Sequence, residues 1–338
     1  MTFINYCLLY KLMLDIDIES SSKFPRLEQV LLDVGLISSK NVPKEISPKV
    51  SPLIIDGTRH LLNLAHGNVR RKSGGWYNEE HIAPMGEIGL KLGLPPFAIL
   101  GFLLHDFKED HDNVLFSRRN RKQKDEKEHN ARRNIGVLEQ QLFGGAKRGS
   151  SFKTLDRKIL LSQVSLATKP FEGDVCEIDF NNPFYNSDKR FTAKVLRCLK
   201  KYPYDNLDYL DEHEISLSTT TRFYSQLTVL SDMFLNLGIN ETPEDKLSPE
   251  KIEKFMRNKF RNVKRMISFV PMLDSAIRSS IDYPHCLINT ENYNSFMREV
   301  VAQTYIGIAE HEGVIDKDFK ASKDDFLRYV EQNYLQKK

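Results

Sequence analysis

The strongest constraint on this chain is an abrupt boundary at position 105. Residues 96–104, Pro-Phe-Ala-Ile-Leu-Gly-Phe-Leu-Leu, carry no polar side chain. A helix that is apolar all round has to be buried. The next six residues, His105-Asp106-Phe107-Lys108-Glu109-Asp110, are all ionisable except Phe107. Ionisable groups placed where a core helix leaves the interior must be paired, solvated or bound to a cation. If the helix continues, His105 faces with Glu109 and Asp106 with Asp110, each pair at i, i+4. Adjacent imidazole and carboxylate ligands suit a divalent cation of mixed nitrogen and oxygen preference. The ordinary alternative is a helix end whose polar residues sit in water.

The rest of the chain reads as helix, because apolar spacings of three and four recur without sustained alternation. Helices are expected over 3–14, 27–34, 56–66, 85–92, 96–104, 135–142, 155–166, 192–201, 222–237 and 291–309. Gly67 and Gly238 are placed to stop two of them. Residues 38–52, with Pro43, Pro48 and Pro52, read as a linker, and 171–186 as an irregular, aromatic-rich stretch. Ser248-Pro249-Glu250 is a cap followed by a first-turn proline, opening a helix through Ile252, Phe255, Phe260, Val263 and Ile267. Ser322 and Asp325 resemble a capping box ahead of Phe326, Leu327 and Val330. The expected class is therefore all-α.

Composition narrows the function. Apolar residues at 40% can build a core, which excludes a wholly disordered chain. A net charge of +3 is too small to argue globally for nucleic acid. One segment differs: 118–133 holds eight basic residues against three acidic ones and nothing apolar larger than Ala131. It reads as an exposed insertion, and it lacks the interleaved aromatics of a single-strand binder. Cys7, Cys176, Cys198 and Cys286 form no CxxC pair, so reduced thiols in a cytoplasm are expected. No apolar run is long enough to span a membrane, and the start has neither the basic region nor the cleavage site of a signal peptide.

A metal centre needs more ligands than His105 and Asp106. His81 lies upstream, ahead of the 85–92 helix. Downstream, Thr228, Asp232 and Asn236 share one stripe of the 222–237 helix. Taken alone, Asp232 between large apolar neighbours would be expected to face water.

Four elements occur in one order. They are Ala65-His66-Gly67-Asn68-Val69-Arg70-Arg71-Lys72-Ser73-Gly74 with Tyr77 and His81; Leu103-Leu104-His105-Asp106-Phe107-Lys108-Glu109-Asp110; Leu166-Ala167-Thr168-Lys169; and Leu230-Ser231-Asp232-Met233-Phe234-Leu235-Asn236-Leu237. Together they resemble the HD-type hydrolase domain of the RelA/SpoT-like alarmone enzymes, whose patterns run roughly AHxGQxRKSGxPYxxHP, ALLHDxxEDT, GVTK and LADRLHNL. The resemblance covers about half the chain. It implies an HD-domain helical bundle over 53–240, with a basic insertion at about 111–134, N-terminal helices and linker over 1–52, and a helical extension over 241–338. The extension shows no clear β pattern, so a stand-alone hydrolase without a synthetase domain is expected.

By that resemblance, His81, His105, Asp106 and Asp232 match the family's metal ligands, and the ion is usually manganese, Mn2+. Glu109 and Asp110 match the acidic pair that orients and deprotonates the attacking water. Arg71, Lys72 and Ser73 match the loop holding base and sugar, and Asn236 matches a substrate-contacting asparagine. The implied activity is hydrolysis of the 3′-pyrophosphate of guanosine tetra- or pentaphosphate (ppGpp or pppGpp), the nucleotides of the stringent response, to GDP or GTP and pyrophosphate. The family's Gly-Gln is Asn68-Val69 here, and its Arg and His in the last motif are Met233 and Leu235. The metal set is thus complete while the nucleotide-recognition shell is only partly kept. Two alternatives stay open: the same chemistry on another nucleotide, such as a dinucleotide phosphate, and a non-enzymatic nucleic-acid-binding or regulatory protein using the basic insertion. No membrane partner is expected.

Overall fold

A computed structural model describes residues 23–38, 42–44, 46–71, 74–107, 138–140, 142–143, 154–168, 188–199, 215–237, 248–311 and 317–335. The fold is all-α, with no sheet among the described residues. The helices are α1 (Pro25–Leu36), α2 (Pro52–His66), α3 (Ala83–Lys91), α4 (Pro96–Leu103), α5 (Thr154–Ala167), α6 (Lys189–Cys198), α7 (Ile215–Asn236), α8 (Pro249–Ser280), α9 (Thr290–Ala309) and α10 (Lys317–Val330). Single π-helical turns cover Asn78–Ile82 and Glu331–Leu335. The expected 3–14 helix, the irregular 171–186 stretch and the basic run 118–133 lie outside the described residues, as does half of 135–142.

Several boundaries differ from the sequence reading. Pro52 opens α2 instead of closing the linker; its missing N–H is one a helix start leaves unbonded anyway. Ser322 does not cap a helix. It lies inside α10, which is already helical at Lys317 and buries Phe319 and Phe326. The apolar helix ends at Leu103. His105 and Asp106 therefore sit in a turn, closed by Phe107 N–H bonding the Leu104 carbonyl at 3.0 Å, and not on a continuing helix.

Every residue of α4 is buried, as its composition requires. It is the centre of the stack, packed on α3 and α5, with α7 against α5 and α8. The approach of α4 to α5 is close enough that a Cβ at Gly101 would lie 2.3 Å from the Gln163 amide. That amide donates to the Ala98 carbonyl at 3.1 Å and to the Thr228 hydroxyl at 2.9 Å, so one buried side chain ties α4, α5 and α7. The three helices that flank the candidate site are thereby held in register. Buried apolar side chains form one cluster running from Phe24 on the chain's first described turn to Val330 on α10. No helix among the described residues is long and apolar enough to cross a membrane.

Candidate metal centre

Three segments deliver the site. His81 comes from the π-helical turn before α3. Such one-turn bulges occur often at functional sites. The turn is anchored by its neighbour Glu79, whose carboxylate accepts the Arg26 and Leu27 N–H groups, each at 3.1 Å. The start of α1 has no side-chain cap of its own, so Glu79 satisfies donors that would otherwise be orphaned. His105 and Asp106 come from the turn that follows α4, and Asp232 from the second-last turn of α7.

Four donor atoms converge. His81 Nε2 lies 3.3 Å from His105 Nε2. Asp106 Oδ2 is 3.0 Å from His105 Nε2 and 3.6 Å from His81 Nε2. Asp232 Oδ1 is 3.5 Å from His81 Nε2 and 3.7 Å from His105 Nε2. Ligands held at about 2.1 Å around one ion stand about 3.0 to 3.4 Å apart, so these separations suit a shared divalent cation. Among the described residues, His81, His105 and Asp106 form a group of three whose ligand atoms all lie within 4.8 Å of one another. The two histidines are fully buried, and Asp232 is 6% exposed, so its carboxylate does not face water as its position alone suggested.

The surroundings orient these atoms. His105 Nδ1 is 2.8 Å from the Phe102 carbonyl, an acceptor only, so Nδ1 carries the proton and donates while Nε2 faces the site. Tyr77 Oη donates to Asp106 Oδ2, and Asn236 Nδ2 donates to Asp232 Oδ1. Lys194 Nζ, itself 1% exposed, lies 3.0 Å from Asp232 Oδ2. The rings of His66, Tyr77, His81 and His105 follow one another at 4.9, 4.9 and 5.3 Å between centroids.

Charge bookkeeping points the same way. Neutral imidazoles leave two carboxylates facing one ammonium, so one negative charge lacks a partner. In the metal-free protein a proton fills that role: burial lowers His105, but Asp106 first and Asp232 next outweigh it and hold its imidazolium up to about 10. Burial would raise both carboxyls. Instead, the charge of His105 holds Asp106, and Lys194 followed by His105 holds Asp232, well below the usual range. Burial lowers His81, only partly opposed by Asp106 and Asp232. A divalent cation would supply the missing positive charge and displace the His105 proton on binding.

Among the other residues expected at the site, Arg71 and Asn236 line a cavity of about 290 Å³ beside it, together with Tyr77. Lys72, Ser73, Glu109 and Asp110 lie outside the described residues. Sequence reasoning missed Lys194. The available signal was its spacing: it falls three residues after Phe191 and four before Cys198, both buried, which places a lysine on the inward face of α6.

Comparison of the chain with family models, with curated proteins and with solved structures gives no match.

Proposed function

We propose that this chain is a metal-dependent phosphohydrolase of the HD type, cleaving the 3′-pyrophosphate of guanosine tetra- or pentaphosphate. The observation that carries the reading is the convergence of His81, His105, Asp106 and Asp232 beside a cavity lined by Arg71 and Asn236. The donor set, two imidazole nitrogens and two carboxylates, fits manganese or another divalent ion of mixed preference. Such an ion supplies a Lewis acid for a phosphoryl oxygen and lowers the pKa of water.

The chain's own groups do the rest. The Phe102 carbonyl fixes the His105 tautomer, Tyr77 fixes Asp106, and Lys194 and Asn236 hold Asp232 from opposite oxygens. Glu109 and Asp110 stand three and four residues after Asp106 in the chain and are assigned to the water's proton. In the net reaction, water adds at phosphorus, the bond from phosphorus to the 3′-oxygen breaks, and that oxygen leaves with a proton as the nucleotide's hydroxyl.

The test is a nucleotide panel incubated with Mn2+ and with chelator, measuring released phosphate and pyrophosphate separately. Expected is Mn2+-dependent pyrophosphate from the guanosine 3′-pyrophosphates, absent in Asp106→Ala. Release from a different nucleotide alone would move the substrate but keep the chemistry. Absence of metal-dependent release from every nucleotide would overturn the enzymatic reading and favour the regulatory one.

A further inference from the structure

Lys194 is buried in a way that the fold alone does not explain. Its side chain is 1% exposed, and lysine is almost never buried so fully unless its charge is paired. Phe191, Val195 and Cys198 are buried on the same helix, α6, and their spacing turns position 194 inward with them. That helix packs on α5 and α7, and the ammonium ends 3.0 Å from Asp232 Oδ2. A buried ion pair contributes little net stability, because desolvation of the two ions offsets their attraction. What the lysine adds is therefore to be sought in its effect on the site.

Two features of the contact define that effect. The oxygens of Asp232 are divided. Oδ1 faces His81 and His105 at 3.5 and 3.7 Å and accepts from Asn236, whereas Oδ2 accepts from Lys194. Asp232 is thus left with one oxygen for a cation. The second feature is charge. Two carboxylates, one ammonium and two neutral imidazoles sum to one negative charge, so a divalent ion held among them leaves one positive charge over. Without the ammonium the same loaded set would be neutral. A buried excess charge is costly until a counter-ion reaches it. The neighbouring cavity suits the same sign of visitor. Among the described residues its lining includes Arg70, Arg71 and Lys259 and no carboxylate, although Lys259 is paired with Glu310 at 2.9 Å.

We infer that Lys194 is the positioning residue that makes the loaded centre an anion receptor: by holding Asp232 to one oxygen and adding a fixed positive charge, it gives the occupied site a net charge that draws in a phosphate group. The inference rests on the hydrolase reading for a divalent ion at the four ligands, and it assigns to one side chain the preference of that site for an anion. The choice of Lys194 rests on its burial and on the divided oxygens of Asp232.

The experiment titrates the full chain with Mn2+ by calorimetry, and then titrates the Mn2+-loaded and the chelator-treated protein with inorganic phosphate. Wild type, Lys194→Gln and Lys194→Met are compared. Gln keeps a donor for Asp232 Oδ2 without the charge, and Met keeps the length of the side chain without either. Wild type should bind phosphate more tightly with Mn2+ than in chelator. Lys194→Gln should bind Mn2+ at least as tightly as wild type, because a repelling charge is gone. Its loaded form should nevertheless bind phosphate about tenfold or more weakly, the size of a charge interaction acting over several ångström inside a protein. Lys194→Met should show the same loss of phosphate affinity. A lysine that only props up Asp232 predicts the opposite split: weaker Mn2+ binding and, at saturating Mn2+, unchanged phosphate affinity.

Equal phosphate affinity in loaded wild type and loaded Lys194→Gln would overturn the inference and leave the metal centre standing. So would phosphate binding by wild type that ignores Mn2+, a result that needs no variant to fold. No Mn2+ bound by wild type would overturn both the inference and the reading of the centre. Phosphate affinity that depends on Mn2+ and on Lys194, in a protein releasing no pyrophosphate from any nucleotide, would sink the hydrolase reading and leave this inference standing.

Discussion

Two buried carboxylates sit at opposite ends of this molecule's chemistry. Asp274 on α8 is 1% exposed and accepts from Tyr293 at 2.7 Å, Tyr329 at 2.7 Å and Tyr334 at 3.1 Å, with Arg278 at 2.9 Å. Each neighbour is a donor, and burial together with the Asp274 charge pushes the Tyr329 hydroxyl up, so it keeps its proton. Asp232 on α7 is nearly as buried, but faces two imidazole nitrogens and lies beside a second carboxylate, with Lys194 and Asn236 as its donors. The first carboxylate is complete within the protein. The second is complete only when a cation or a proton joins it. Burial alone does not mark a site; burial with an unbalanced charge does.

The largest expected effects separate the two by readout. Asp232→Ala should reduce bound metal to background, and turnover with it. The rise in melting temperature on adding Mn2+ should vanish, because only a ligand of the folded state stabilises it. Asp274→Ala leaves the buried Tyr293 hydroxyl without its acceptor, so it should cost about 1–3 kcal/mol of stability, the usual result of leaving a buried donor unmade. Activity per folded molecule should be kept. Metal content unchanged in Asp232→Ala would erase the contrast.

Glu109→Gln should leave metal and nucleotide affinity near wild type while kcat falls by about two to four orders of magnitude, the worth of a positioned base. Single-turnover rates at saturating metal decide this. Wild-type chemistry in the Gln variant would return Glu109 to the role of an exposed chain residue.

The pH dependence of the metal-free protein follows from two histidines with opposite shifts. His66 is fully buried, and burial pushes it down to about 4. Between pH 4 and its unfolded value near 6.5 the unfolded chain binds more protons, so stability rises with pH across that window, by about 3 kcal/mol from this group. His105 is held up to about 10. Its contribution is complete below pH 6.5 and is lost as pH rises toward 10. Denaturant midpoints should therefore peak near neutral pH. His66→Asn should flatten the acid limb, and saturating Mn2+ should remove the alkaline one, because ligated His105 is already neutral. An alkaline limb that persists with metal bound would take His105 out of the ligand set.

What was legible in the chain was local. The change from an apolar run to ionisable residues at His105 is a pattern of neighbours, and the α4 helix is apolar at every position, so both the helix and its end could be read. The turn at 104–106 could not, because Leu104, His105 and Asp106 include no glycine or proline to announce it. Nor could the π-helical turn that carries His81, since an i to i+5 bond leaves no apolar spacing in Asn-Glu-Glu-His-Ile. The Asn289 cap of α9 was readable but missed: its side chain accepts the Asn292 N–H at 2.9 Å. Lys194 meets a carboxylate 38 positions away, and Gln163 meets Ala98 and Thr228, each 65 positions away. Such contacts are set by helix packing, which no local pattern encodes.

The smallest predicted effect tests the comparison most directly, because one chemical change can be made at both carboxylates. Tyr77→Phe removes the hydroxyl that donates to Asp106 but keeps the ring between His66 and His81. Tyr329→Phe removes a hydroxyl that donates to Asp274 at 2.7 Å. If Tyr77 orients a metal ligand, its loss should weaken Mn2+ binding by about 10–100-fold, as for other groups that hold a ligand in place. Metal-free stability should change by no more than about 1 kcal/mol, the net worth of one hydrogen bond. Tyr329→Phe should show the same modest stability loss and no change in metal affinity. Calorimetric titration with Mn2+, paired with denaturant melts in chelator, separates the two. Equal Mn2+ affinity in wild type and Tyr77→Phe would place the Tyr77 hydroxyl in the same structural role as that of Tyr329.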